Sequence, residues 1–149
     1  MNISKANPND NVHLSVITKK SKAYWGYSDD QIQKWNTNLT ITKEYIEKNQ
    51  VYNLNIDKQI IGYYSYTIQE NKSIKLDNLF ILPKFIGNGL GSNLLKHFLD
   101  IVKKEDYKTI ILDAEPNAEQ FYEKFGFVKI DEFETSIKGR FMPVMKLSL

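Results

Sequence analysis

Hydrophobic spacing divides the chain into a helical N-terminal part, a strand-rich middle and an alternating α/β remainder. Met1 to Ala6 is a short candidate strand. Asn7-Pro8-Asn9-Asp10 then reads as a turn carrying a helix N-cap. Val12, Val16 and Ile17 keep helical spacing until the pattern fades near Tyr24-Trp25-Gly26-Tyr27. Ser28-Asp29-Asp30-Gln31 has capping-box spacing ahead of Ile32 and Trp35, which predicts a second short helix. Thr42 is placed to cap a third, containing Tyr45 and Ile46. From Val51 the period becomes two. Val51 to Ile56 alternates, Asp57-Lys58 turns, and Gln59 to Gln69 is rich in Ile, Tyr and Thr, the pattern of a hairpin. After a turn at Glu70 to Ser73, Ile74 to Leu82 forms a third strand ended by Pro83. Leu90, Leu94, Leu95, Phe98, Ile101 and Val102 then lie on one face of a helix of about fifteen residues. A buried strand from Thr109 to Ala114, a short helix at Ala118 to Lys124, and strands near Phe127–Phe133 and Arg140–Leu147 complete the order. The expectation is one α/β domain over residues 1–149, its mixed, mostly antiparallel sheet of six to seven strands flanked by helices.

Composition narrows the function classes. A chain of 149 residues with 42% apolar and 26% charged positions is that of a soluble globular protein. Twenty basic against eighteen acidic residues leave a net charge of +2, which argues against nucleic acid as a partner. The absence of cysteine excludes thiolate catalysis and Cys-based metal sites. No apolar run is long enough for a membrane span and no signal-peptide core opens the chain, so a cytoplasmic location is expected. Of the twenty cations only Arg140 is an arginine.

The strongest local signal is Gly87-Asn88-Gly89-Leu90-Gly91-Ser92, between a strand and the amphipathic helix. Glycines let backbone approach a ligand without an intervening Cβ. Successive N–H groups at a helix start form an anion site suited to a pyrophosphate. Spacing sets two nucleotide loops aside. A P-loop needs lysine between its last glycine and the hydroxyl residue, and Gly91-Ser92 has none. A dinucleotide fingerprint needs glycine where this chain has Ser92. Asp113 mimics the ribose-binding acid of that fold, but too little chain follows it for a doubly wound domain.

Leu79-Phe80-Ile81-Leu82-Pro83, Ile86-Gly87-Asn88-Gly89-Leu90-Gly91 and Phe121-Tyr122-Glu123-Lys124-Phe125-Gly126-Phe127 stand in the order seen in GNAT (GCN5-related) N-acetyltransferases, and over about residues 50 to 128 the chain resembles that family. The resemblance implies acetyl-CoA as donor, a small-molecule or peptide amine as acceptor, and no metal. It implies a splayed sheet in which Leu79, Phe80 and Ile81 offer backbone groups to the pantetheine, while Gly87, Asn88, Gly89, Leu90, Gly91 and Ser92 hold the pyrophosphate. Two positions depart from the family pattern. Ile86 replaces the usual Gln or Arg at the loop's start, and Glu115 stands where many members have Asn, a contact Asn117 is placed to supply instead.

The chemistry assigns further roles. An alkyl amine with a pKa near 10 is mostly protonated at neutral pH, so a proton must leave before attack. Negative charge then develops on the thioester oxygen, where a strand N–H stabilises it. Tyr122 occupies the family's acid position and suits protonation of the departing thiolate; its other reading is a core aromatic. Asp77, on the strand feeding the thioester, is the candidate base, or else a solvated strand carboxylate. His13 and His97 are too few for a metal site. Tyr24, Trp25, Tyr27 and Tyr45 fall where the family recognises its acceptor, but packing of the helices is the preferred reading. Arg140 is open to three roles: binding a carboxylate, pairing across a homodimer interface, or solvation. A catalytically silent acyl-CoA-binding module is the alternative from another class.

Overall fold

Hydroxyl side chains build much of the core face of the first long helix. The computed structural model describes residues 1–149. Its strands are β1 (Asn2–Lys5), β2 (Gln50–Ile56), β3 (Gln59–Ile68), β4 (Ser73–Ile81), β5 (Thr109–Asp113), β6 (Val128–Glu134) and β7 (Phe141–Ser148). The helices are α1 (Asn11–Tyr24), α2 (Asp29–Lys34), α3 (Asn36–Leu39), α4 (Lys43–Lys48), α5 (Leu90–Lys104) and α6 (Glu119–Glu123). The strands form one sheet in the order β1-β2-β3-β4-β5-β7-β6. Pairings β1–β2, β2–β3, β5–β7 and β6–β7 are antiparallel, whereas β4–β5 is parallel. This is the mixed, mostly antiparallel α/β sheet expected, with helices flanking it. The short α3 carries no periodic signal and was not anticipated.

Contacts group the chain into two compact units. The first comprises Met1–Tyr66 and Asn78–Ile101. Here α1 buries Leu14, Ile17, Thr18 and Ser21, an i, i+3, i+4, i+7 stripe. The expected face through Val12 and Val16 is corrected, since these are 64% and 43% exposed. The hydroxyls tolerate burial because each has a partner. Thr18 Oγ1 donates to the Leu14 carbonyl at 2.7 Å and is in hydrogen-bond contact with the Tyr63 hydroxyl at 2.6 Å. Ser21 Oγ donates to the Ile81 carbonyl at 2.8 Å, and Ser15 Oγ accepts the Ile41 N–H at 2.8 Å. On α5, Leu94, Leu95 and Phe98 are fully buried, and the Phe98 ring lies 5.4 Å from Tyr64 and 5.2 Å from Tyr66. Ser28 and Thr42 cap α2 and α4 by accepting the N–H of Gln31 and of Tyr45.

The second unit comprises Thr67–Asp77 and Val102–Leu149. Ile110 and Leu112 of β5 are buried and Ile111 only partly so, because β5 has a strand on each side and alternates across the sheet. The parallel register of β4 with β5 runs through Ser73↔Thr109, Ile74↔Ile110 and Lys75↔Ile111, ending well before β4 does. Phe127 is buried just ahead of β6, whose residues are all exposed, as befits the strand at the sheet's edge.

Candidate active site

In the first unit, the chain leaves β4 through a tight turn at Pro83–Phe85 and reaches α5 by the glycine loop. Gly87 and Gly89 adopt φ of +94° and +76°, a region that side chains with a Cβ enter only at a cost. A Cβ built on either glycine meets no neighbouring atom within 4 Å, so the loop needs glycine for its dihedral angles rather than for packing within the protein. The Asn93 N–H donates to the Gly89 carbonyl at 3.1 Å, which makes that bond the first rung of α5. The N–H groups of Leu90, Gly91 and Ser92 therefore precede the ladder and have no acceptor within the helix. With the macrodipole they make an electropositive helix start. Asn88 is exposed between the two glycines, and Ile86 is 40% exposed at the loop's start.

Leu79 and Phe80, at the end of β4, are half-buried and Ile81 is buried. Around Phe80 the first unit gathers polar and aromatic groups that pattern reading did not combine. The Lys22 ammonium lies 5.9 Å from the Phe80 ring and 6.0 Å from the Trp35 ring, within cation–π range. Tyr27 meets Trp35 edge-on at 5.1 Å. Beside them the Asn78 amide donates to Ser65 Oγ at 2.9 Å, and Ser65 Oγ lies 2.8 Å from the Tyr45 hydroxyl. Of the aromatics singled out from sequence, Tyr27 and Tyr45 join such groups, whereas Tyr24 and Trp25 pack edge-on against each other and stay exposed. Lys22, Ser65 and Asn78 were missed. No local motif marks them.

In the second unit, Tyr122 on α6 is 8% exposed, with its ring against Phe121 at 5.1 Å and Phe127 at 5.7 Å. Burial pushes its phenol well above the usual range, so it keeps its proton across the working pH of an enzyme. Asp77 is exposed on β4. The Asn117 amide donates to Glu115 Oε1 at 2.9 Å, and Arg140 Nη2 donates to Glu115 Oε2 at 3.0 Å. Arg140 thus has a carboxylate partner inside the chain. Asp113 faces the Lys75 ammonium at 3.2 Å. No three His, Asp or Glu side chains are grouped to hold a metal ion, and no helix is long and apolar enough to cross a membrane.

The seven-stranded mixed sheet and the glycine loop that opens α5 mark an acetyltransferase-type α/β domain. Residues 25–149 match the acetyltransferase (GNAT) domain family, and the chain belongs to it. It is 31% identical over 129 residues to the uncharacterized N-acetyltransferase YafP of Escherichia coli strain K12, covering 86% of this chain and 78% of that one. To the uncharacterized N-acetyltransferase ycf52 of Gracilaria tenuistipitata var. liui it is 28% identical over 103 residues, 69% of this chain and only 55% of the algal protein's length. Among solved structures, the PaiA N-acetyltransferase of Thermoplasma acidophilum in complex with coenzyme A superposes with a TM-score of 0.83 at 21% identity, over 99% of this chain and 98% of that one.

Proposed function

We propose that this protein transfers acetyl from acetyl-CoA to an amine of a small molecule or peptide, by direct attack. The observation that carries this reading is the glycine loop: two left-handed glycines open α5 so that three successive N–H groups face outward from its start. The residues fit the donor. Gly87, Asn88, Gly89, Leu90, Gly91 and Ser92 would hold the pyrophosphate through backbone N–H groups. Leu79, Phe80 and Ile81 would offer strand groups to the pantetheine, beyond the point where the parallel register ends. Asn117, its amide engaged by Glu115, would contribute through its carbonyl oxygen.

When bound, acetyl-CoA supplies an acetyl group activated as a thioester. The chain's residues supply the proton chemistry. Asp77 would accept a proton from the amine, directly or through water, before attack. Tyr122, held neutral by burial, would donate to the sulfur as negative charge leaves on it. No nucleophilic cysteine is present, so no acetyl-enzyme on sulfur forms.

The test is an amine panel with acetyl-CoA, read by thiol release and by mass detection of the acetylated product. A product carrying one added acetyl, formed only with protein present, supports transfer. Tight acetyl-CoA binding with no product from any amine would show instead a silent binding module.

A further inference from the structure

Within the first unit, Asn78 is held by its own amide. Its Nδ2 donates to Ser65 Oγ at 2.9 Å and approaches the Tyr45 hydroxyl at 3.5 Å. Ser65 is fully buried and its Oγ is also in hydrogen-bond contact with Tyr45. The pair clamps the nitrogen side of the amide and thereby aims its Oδ1 away from them. That oxygen makes no hydrogen bond within the chain. The one sealed, unpartnered side-chain polar atom is Asn53 Oδ1, so Asn78 Oδ1 is open to solvent. Asn78 directly precedes Leu79, Phe80 and Ile81, and it shares a strand face with Phe80.

Building on the acetyl-transfer reading, we infer that Asn78 Oδ1 accepts a hydrogen bond from the acceptor amine, and that the site it serves takes an aryl or alkyl monoamine rather than a polyamine. A neutral carbonyl oxygen orients an amine N–H while doing less than a carboxylate to stabilise the unreactive ammonium form. The remainder of an amine seated there lies toward the Phe80 face. There the Lys22 ammonium already stands 5.9 Å from Phe80 and 6.0 Å from Trp35, so a face of each ring that would attract a second cationic centre already meets the protein's own cation. Like charges placed there repel, whereas a neutral aryl or alkyl group meets ring surface. Asn78 is thus the binding residue, and Ser65 and Tyr45 are positioning residues.

The experiment compares phenethylamine with spermidine by thiol release above acceptor-free hydrolysis, alongside calorimetric acetyl-CoA affinity. Phenethylamine is expected to exceed spermidine at least tenfold in kcat/KM. Asn78→Ala raises the KM for phenethylamine at least tenfold with acetyl-CoA affinity within twofold. Tyr45→Phe, which keeps the ring, raises the same KM severalfold and serves if Asn78→Ala does not fold. Asn78→Asp still accepts the amine but holds it as ammonium, so kcat falls at neutral pH while KM does not rise, and kcat recovers as pH increases. That split is one a merely structural role does not produce. Equal or better use of spermidine overturns the inference. So does absence of phenethylamine transfer with acetyl-CoA binding intact, or an unchanged KM in Asn78→Ala, or, should that variant not fold, in Tyr45→Phe. A wild-type protein that binds no acetyl-CoA would instead remove the donor reading beneath it.

Discussion

Arg140 Nη2 donates to Glu115 Oε2 at 3.0 Å, with the two side chains only 12% and 10% exposed. The one arginine of the chain thus meets the one acid that replaces the family's usual Asn. Charges so far removed from water stay ionised only when paired and hydrogen-bonded. The same carboxylate also accepts the Asn117 amide, so the pair braces the turn that leads into α6.

Removing one partner should therefore cost more than removing both. Arg140→Met is expected to destabilise by about 3 kcal/mol, and adding Glu115→Gln should recover much of that. Arg140→Lys should fall between, because an ammonium lacks the planar fork of donors. Urea unfolding midpoints of the three variants check this. Equal stability of Arg140→Met and wild type would show that the pair contributes nothing.

Gly89 is the position where the loop reading is most exposed to test. Its φ of +76° penalises any Cβ, and nothing inside the protein crowds that Cβ. Gly89→Val should weaken acetyl-CoA at least tenfold, about 1.4 kcal/mol. Calorimetry on folded variant with unchanged affinity would refute the assignment. Ile86→Gln, at an exposed site, should preserve or tighten binding.

Tyr122→Phe separates catalysis from packing. The Tyr122 hydroxyl makes no hydrogen bond within the chain and is not sealed from solvent, although the ring is buried. Its removal should leave stability nearly unchanged, while turnover falls about 100-fold and acetyl-CoA affinity holds. A raised acetyl-CoA dissociation constant with intact turnover would make the hydroxyl a donor contact only.

The same residue predicts an alkaline effect. Its folded pKa lies above the unfolded value of 10.0, so the unfolded chain loses this proton first as pH rises. The associated stability is fully present below pH 10 and declines above it, by up to about 1.4 kcal/mol per pH unit. Unfolding measured from pH 9 to 11 should show wild type losing stability relative to Tyr122→Phe. Parallel curves would mean that the phenol titrates normally.

Asp77→Asn should lower turnover 10²-fold or more, with the acidic limb of the pH–rate profile displaced. Near wild-type turnover would leave Asp77 a surface carboxylate.

Local pattern by itself determined the elements whose signal is local. Helix α5 was legible because six apolar side chains recur at helical spacing, and the β2–β3 hairpin because alternation breaks at Asp57-Lys58. The glycine loop was legible for the same reason, since a positive φ is a demand one residue makes of its own side chain. Tertiary structure decided the inward face of α1. Three of its buried positions are hydroxyls, and their partners Ile41, Tyr63 and Ile81 lie 26, 45 and 60 residues away. It also decided that Glu115 answers Arg140 across 25 residues and that Ser65 and Tyr45 hold Asn78. Hydrophobic periodicity reports how each side chain avoids water. A polar group's burial depends instead on the partner that folding brings to it, and no window along the chain contains that partner.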